Sequence, residues 1–330
     1  MSYAPGQGIV LARNPNYRGT RPRHFARIDM TIGHAPHRAV AQVLAGKADY
    51  VVDLTIVGSD AATLDRLYGA GSPAARMGHQ QYFVEPQAAL DFFMLNAHRP
   101  LFADLRMRQA VNYAINRSAM AALGGGEGPL PERVADHYLP PGVPGFSDFH
   151  GYPSSPDLAR ARQLARGHRG ATATLYTCDQ PPCDPTARLL RSNLAAIGIR
   201  LQIKEMSAGS LFTRIIKRGE PFDITWFPWV ADYLDPDNFL NMLMYSGTDL
   251  PAFADPRYRA PLAAAARLTG PARYAAYARL DEELTRNAAP WVAYGNSSAH
   301  ELFASRIGCQ RFGAYDVNLG ALCLRSKGRG

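Results

Sequence analysis

Between residues 171 and 230 the hydrophobic period switches back and forth, and this restricts the fold more than any other feature of the chain. Ala173 to Thr177 reads as a strand. A helix follows, with Ala187, Leu190, Leu194 and Ile197 on one face and Gly198 at its end. Ile199 to Lys204 alternates strictly, a strand with one wet face. Ser210 is placed to cap a helix from Leu211 to Lys217, and Phe222 to Val230 reads as a buried strand. A β-α-β-α-β run of this kind implies parallel strands joined by right-handed crossovers.

The remaining segments fit the same layering. Residues 25–33 put Ile28, Met30 and Ile32 on one face of a strand, and an amphipathic helix is expected from His37 to Ala45. Tyr50 to Leu54, including Asp53, reads as a strand, and Ser59 or Asp60 caps a helix running to Tyr68. Leu90 to Asn96 is an apolar strand leading to a helix from Asp104 to Asn116, which carries Met107, Ala110, Val111 and Ala114 on one face. Residues 124–156 are rich in Gly and Pro and are expected to form a long ordered loop or an intradomain connection, not a strand-bearing core. A helix from Ala272 to Asn287, stopped by Pro290, precedes a strand Trp291 to Tyr294. The chain is thus α/β, and its 330 residues suggest about two domains at ~150 residues each.

Composition excludes several classes. With 47% hydrophobic and 19% charged residues the chain can build a sizeable core and is not disordered. It has no apolar run of the ~18 residues that a membrane-crossing helix needs. The net charge of +8 is carried by scattered arginines. Lys47, Lys204, Lys217 and Lys327 are the only lysines, and no basic block with interleaved aromatics marks a nucleic-acid footprint. Met1 to Gly6 offers neither a basic n-region nor an apolar stretch, so the chain as given is expected to carry no export signal.

No catalytic or cofactor constellation emerges. Gly124-Gly125-Gly126-Glu127-Gly128 follows no strand and lacks the Lys-Ser/Thr ending of a phosphate loop, so it reads as loop glycine. His34 and His37 have no third metal ligand nearby, and Ser297-Ser298 with His300 lacks a nucleophile elbow. Asp232, Asp235 and Asp237 lack the glycine and distal Glu of a calcium loop. Asp235 instead suits a helix cap with Pro236 in the first turn and Asp237 at the positive dipole end. Cys178, Cys183, Cys309 and Cys323 allow three disulfide pairings, free thiols or a four-thiolate zinc site, and spacing alone does not choose.

Several segments taken together resemble one family. They are Leu11-Ala12-Arg13-Asn14-Pro15-Asn16-Tyr17-Arg18-Gly19; Leu44-Ala45-Gly46-Lys47-Ala48-Asp49-Tyr50; Leu95-Asn96 with Pro100 to Arg117; Trp226-Phe227-Pro228-Trp229-Val230-Ala231-Asp232-Tyr233 with Leu234 to Phe239; and Ala289-Pro290-Trp291-Val292. In this order the set resembles the C-terminal part of the family 5 extracellular solute-binding proteins, the peptide- and nickel-type receptors of ABC importers. The resemblance implies a two-lobed clamshell of the type II periplasmic-binding-protein kind with an incomplete first lobe, because Met1 falls where the family's long N-terminal portion would be ending. Residues 1–90 would be part of lobe I, 91–289 lobe II, 290–325 a return to lobe I, and 326–330 a tail. The strand crossings near Leu90–Asn96 and Trp291–Asn296 would act as the hinge.

The resemblance also implies a role for particular residues. Asp232 matches the acid that holds the ligand's α-ammonium in the peptide-binding members, and Trp229 and Tyr233 would line the pocket. Export, as in the family, favours local disulfides, Cys178 with Cys183 and Cys309 with Cys323. The implied ligand is a peptide or another small solute, and the implied partners are importer permease subunits, with no nucleic acid. Membrane attachment would come only through the transporter or a missing lipid anchor, and the location would be periplasmic or at the cell surface. No enzyme activity, cofactor or metal is expected. The alternatives are the ligand-sensing C-terminal part of a transcription regulator of the same fold, or a truncated copy without function.

Overall fold

The computed structural model describes residues 2–4, 6–33, 35–52, 59–124, 133–244, 253, 255–313 and 317–325. Its strands are, in chain order, β1 (Ser2–Ala4), β2 (Gly8–Ala12), β3 (Arg27–Thr31), β4 (Tyr50–Val51), β5 (Tyr82–Pro86), β6 (Ala89–Leu95), β7 (Arg133–Val134), β8 (Thr172–Cys178), β9 (Arg200–Met206), β10 (Ile224–Val230), β11 (Trp291–Asn296), β12 (Ser298–Phe303), β13 (Ile307–Gly308) and β14 (Cys323–Leu324). The helices are α1 (Pro36–Leu44), α2 (Ser59–Tyr68), α3 (Pro73–Arg76), α4 (Pro100–Ala103), α5 (Leu105–Ala114), α6 (Arg117–Gly124), α7 (Leu158–Leu164), α8 (Cys183–Ala195), α9 (Ala208–Ile215), α10 (Asp237–Met244), α11 (Pro256–Ala266) and α12 (Gly270–Asn287). His34, Asp53 and the glycines at 125, 126 and 128 lie outside the described residues, as does the tail at 326–330.

The chain divides into two compact units, Pro86–Ser298 and Met1–Glu85 with Ala299–Gly330. The division lies outside the limits expected from sequence, near 90 and 290. The reason is that β6 and β11 are paired neighbours within the larger unit's sheet, so the residues leading into and out of them pack there.

The larger unit is built on a six-stranded sheet in the order β7-β11-β6-β10-β8-β9. The β8-α8-β9-α9-β10 run places β9, β8 and β10 side by side and parallel, as its alternating period predicts. β6 lies antiparallel to both β10 and β11 and is buried along all its residues. Its aromatics fill both faces: Phe92 packs 4.7 Å from Trp291, and Phe93 packs 5.4 Å from Tyr294. Arg117, fully buried on α6, donates to Ala293 O at 2.8 Å and to Asn112 O at 2.7 Å, tying α5 and α6 to β11. Burial pushes its guanidinium down to about 10.

Two local expectations fail for identifiable reasons. The Gly/Pro-rich stretch does contribute a strand: β7 pairs through Val134 with Gly295 and through Arg133 with Asn296. A two-residue strand has no hydrophobic period, and only its partner defines it. The cap of α9 is Ser207 and not Ser210, because the Ser207 hydroxyl accepts from the Ser210 amide at 3.4 Å and the helix starts one turn earlier.

The smaller unit holds three small sheets: β1-β2-β3, β4-β12-β5 and β13-β14. Its core gathers Val43, Leu64, Tyr82, Leu302, Phe303 and Ile307 around the second of these. Tyr50 stacks on Phe303 at 4.5 Å. The cysteines are joined locally, Cys178 to Cys183 in the larger unit and Cys309 to Cys323 in the smaller, with Cα separations of 5.4 and 5.5 Å.

Candidate ligand-binding site

Strand β10 ends in the run Pro228-Trp229-Val230, and the chain then passes through Ala231 to Asp232 and Tyr233 before α10 begins. Ala231 stays buried, its amide donating to Ala88 O at 2.9 Å. Immediately after it the chain surfaces: Asp232 and Tyr233 are exposed, and Trp229 is half-buried. The structure thus presents Asp232 to solvent at the end of a buried strand.

These three residues converge on a fourth that the sequence reading did not single out. Asn238, fully buried in the first turn of α10, accepts at its Oδ1 from Trp229 Nε1 at 2.9 Å and from the Asp232 amide at 3.0 Å. Its Nδ2 donates to Asp232 Oδ2 at 3.4 Å, and the Tyr233 hydroxyl hydrogen-bonds to the side chains of both Asn238 and Asp237. Asp232 Oδ1 has no hydrogen-bond partner among the described residues, so the carboxylate is braced through one oxygen and open at the other.

The brace is itself anchored. Asp235 Oδ1 accepts from the Asp237 amide at 3.0 Å, the capping role expected of it, and its carboxylate takes a fork from Arg273 of α12 at 2.7 and 2.9 Å. Arg273 also donates to Ala266 O at 2.7 Å and lies 3.4 Å from Asp237. Partial burial would raise Asp235, but the Arg273 hydrogen bonds outweigh it and hold the carboxyl below its ordinary value. Asp237 moves the other way, raised by burial and then by its neighbour Asp235. Tyr277 completes the support, donating to Asn241 Oδ1 at 2.8 Å.

Two cavities lie away from these residues. One of about 260 Å³ in the smaller unit is lined by Leu11, Tyr17, Phe25, Ile28 and Leu319 among others. Another, of about 670 Å³, opens beside Tyr113, Asp136, His150 and Tyr152.

Solved structures that superpose on the chain give its fold as that of the type II periplasmic binding proteins. The oligopeptide-binding protein 2 of clavulanic acid biosynthesis superposes on 98% of the chain at a TM-score of 0.82 and 20% identity, with 62% of its own length covered. The Helicobacter pylori periplasmic binding protein DppA, solved with the peptide STSA, matches 99% of the chain at a TM-score of 0.76 and 20% identity, again over 62% of its length. In sequence, the Di/tripeptide-binding protein 2 of Pseudomonas aeruginosa (strain UCBPP-PA14) is 28% identical over 244 residues, 72% of this chain and 42% of that one. Residues 1–250 match the middle part of the bacterial extracellular solute-binding proteins, family 5. The chain belongs to that family, and it spans less than half the length of this curated relative.

Proposed function

We propose that the chain is the extracytoplasmic substrate-binding component of an ABC importer, taking a peptide or a similarly small solute and delivering it to permease subunits. Asp232 pairs the ligand's α-ammonium, and Trp229 and Tyr233 supply apolar walls with polar edges. The observation that carries this reading is the braced carboxylate: one oxygen of the exposed Asp232 side chain is engaged by a buried amide at 3.4 Å. A side chain held in one orientation loses little freedom on meeting a cation. The peptide-binding relatives support the ligand class.

Magnitude separates this reading from that of a surface acid. An exposed carboxylate–ammonium pair is worth ~0.2–1 kcal/mol. Removing one partner of a desolvated pair costs about 2–5 kcal/mol. Calorimetry with trialanine and with N-acetyl-trialanine, on the chain and on Asp232→Ala, reads the difference. The free amine should lose affinity by the larger figure and the acetylated peptide should hardly change. Equal losses for both peptides would show that Asp232 does not hold the amine.

A further inference from the structure

We propose that Asn238 is the positioning residue of this site, the group that fixes the Asp232 carboxylate, the Trp229 indole and the Tyr233 phenol in one mutual geometry. The inference rests on the reading of Asp232 as the ligand's anchor and extends it to a residue that would not itself touch the ligand.

Geometry sets Asn238 apart. Its carboxamide offers two acceptor sites and two donor hydrogens. Both acceptor sites are used, by Trp229 Nε1 and by the Asp232 amide, and the donor side serves Asp232 Oδ2 and the Tyr233 hydroxyl. All three partners are at least partly open to solvent, while Asn238 is fully buried. One interior amide therefore links three surface groups that no strand or helix holds in common, with Asp237 as a second partner of Tyr233. Its backbone is fixed in turn by α10, whose start is pinned through Asp235 and Asp237 to Arg273. Asn is specifically required: Leu would leave two donors unpaired, and Asp would set a second carboxylate against Asp232.

The test has one arm without ligand and one with it, both on the full chain. In a ¹⁵N-labelled sample, Asn238→Ala should speed hydrogen exchange of the Trp229 indole by roughly tenfold or more. The indoles of Trp226, bonded to the Tyr294 hydroxyl at 2.9 Å, and of buried Trp291 should be unaffected. Trialanine affinity should fall by about tenfold, and adding Asn238→Ala to Asp232→Ala should cost little beyond the loss from Asp232→Ala alone, because Asn238 acts through the carboxylate already removed. Unchanged Trp229 exchange, or losses that multiply in the double variant, would overturn the proposal. If Asn238→Ala disturbs all three indoles, Asn238→Asp serves instead, since it keeps the acceptor. There the Trp229 indole should stay protected while trialanine binding sets in only at higher pH, the two carboxylates sharing a proton. A pH profile identical to that of the unaltered chain would count against positioning. Failure of the ligand reading looks different: Asp232→Ala would leave trialanine affinity intact while the Trp229 indole still responded to Asn238→Ala.

Discussion

Asp91 of β6 stands directly opposite Pro228 of β10, which places a carboxylate in the middle of an otherwise apolar strand. On its other side it faces Gly295 of β11, where the register shifts. β10 pairs with β8 only through Ile224 and Thr225, so the missing Pro228 amide leaves no gap in that ladder. Asp91 is 8% exposed, and its Oδ2 has no hydrogen-bond partner among the described residues. Burial pushes its carboxyl up to about 7, only partly offset by a hydrogen bond from the Ser297 side chain.

That shift fixes a pH dependence. An acid whose folded pKa is raised disfavours the folded state as pH climbs from its unfolded value, ~3.9, toward the folded one. Replacing it by Asp91→Asn removes the ionisation. The stability of the variant relative to the unaltered chain should rise between about pH 4 and pH 7, by up to about 4 kcal/mol, and level off above. Urea unfolding of both proteins across that range measures it. Two curves that stay parallel would mean Asp91 ionises as freely in the fold as outside it.

A buried histidine titrates in a neighbouring range. His137 Nδ1 lies 2.9 Å from Asp281 Oδ2, between the rings of Phe146 and Phe149 at 5.4 and 4.5 Å. Asp281 also accepts from the amides of Tyr138 and Leu139, so this contact holds the segment after β7 against α12. Burial favours the neutral ring. The hydrogen bond and charge of Asp281, with Asp136 and Asp148 behind it, overcome that and raise the pKa. A raised basic group stabilises fully below its unfolded pKa, ~6.5, and loses that contribution as pH rises through the folded value. His137→Gln should therefore cost most stability in acid and less above neutrality, as read by denaturation midpoints at several pH values. A cost independent of pH would mean the ring is held neutral.

How much of this was legible depended on whether the determining contact was local. Leu190, Leu194 and Leu201 declare α8 and β9 by spacing alone, and Asp235-Pro236 declares the start of a helix. β7 exists only because Gly295 and Asn296 lie beside it. Asp91 was hidden inside an apolar run that reads as a strand whatever one acid does. Trp229, Asp232 and Tyr233 were placed by family motif. Asn238, the buried group to which all three hydrogen-bond, follows an Asp-Pro-Asp turn signal and looks like part of it. Its phase on α10 turns it inward, and a one-turn helix start is too short for periodicity to reveal that.

The two units differ in how their strands are covered, and exchange should show it. All seven residues of β6 are buried, and β8 and β10 each bury at least half of theirs. In the sheet of β1, β2 and β3, by contrast, no residue is buried. On one face of that sheet Tyr3 pairs with Ile9, Ile9 with Met30 and Leu11 with Ile28, all apolar and none fully covered. Such amides open by local fluctuation, whereas those under a packed core need larger unfolding. Amides of β6, β8 and β10 should thus exchange orders of magnitude more slowly than those of β2 and β3. Within the smaller unit, the Cys309–Cys323 bridge closes a 14-residue separation and should contribute about 3 kcal/mol by the chain-entropy model. Replacing both cysteines by serine should speed exchange in β12 and β13 while leaving β8 and β9 unaltered. Hydrogen exchange read by mass spectrometry tests both statements together. Uniform protection across β2, β3, β6 and β10, with one sharp unfolding transition, would show that the exposed sheet is as secure as the buried one.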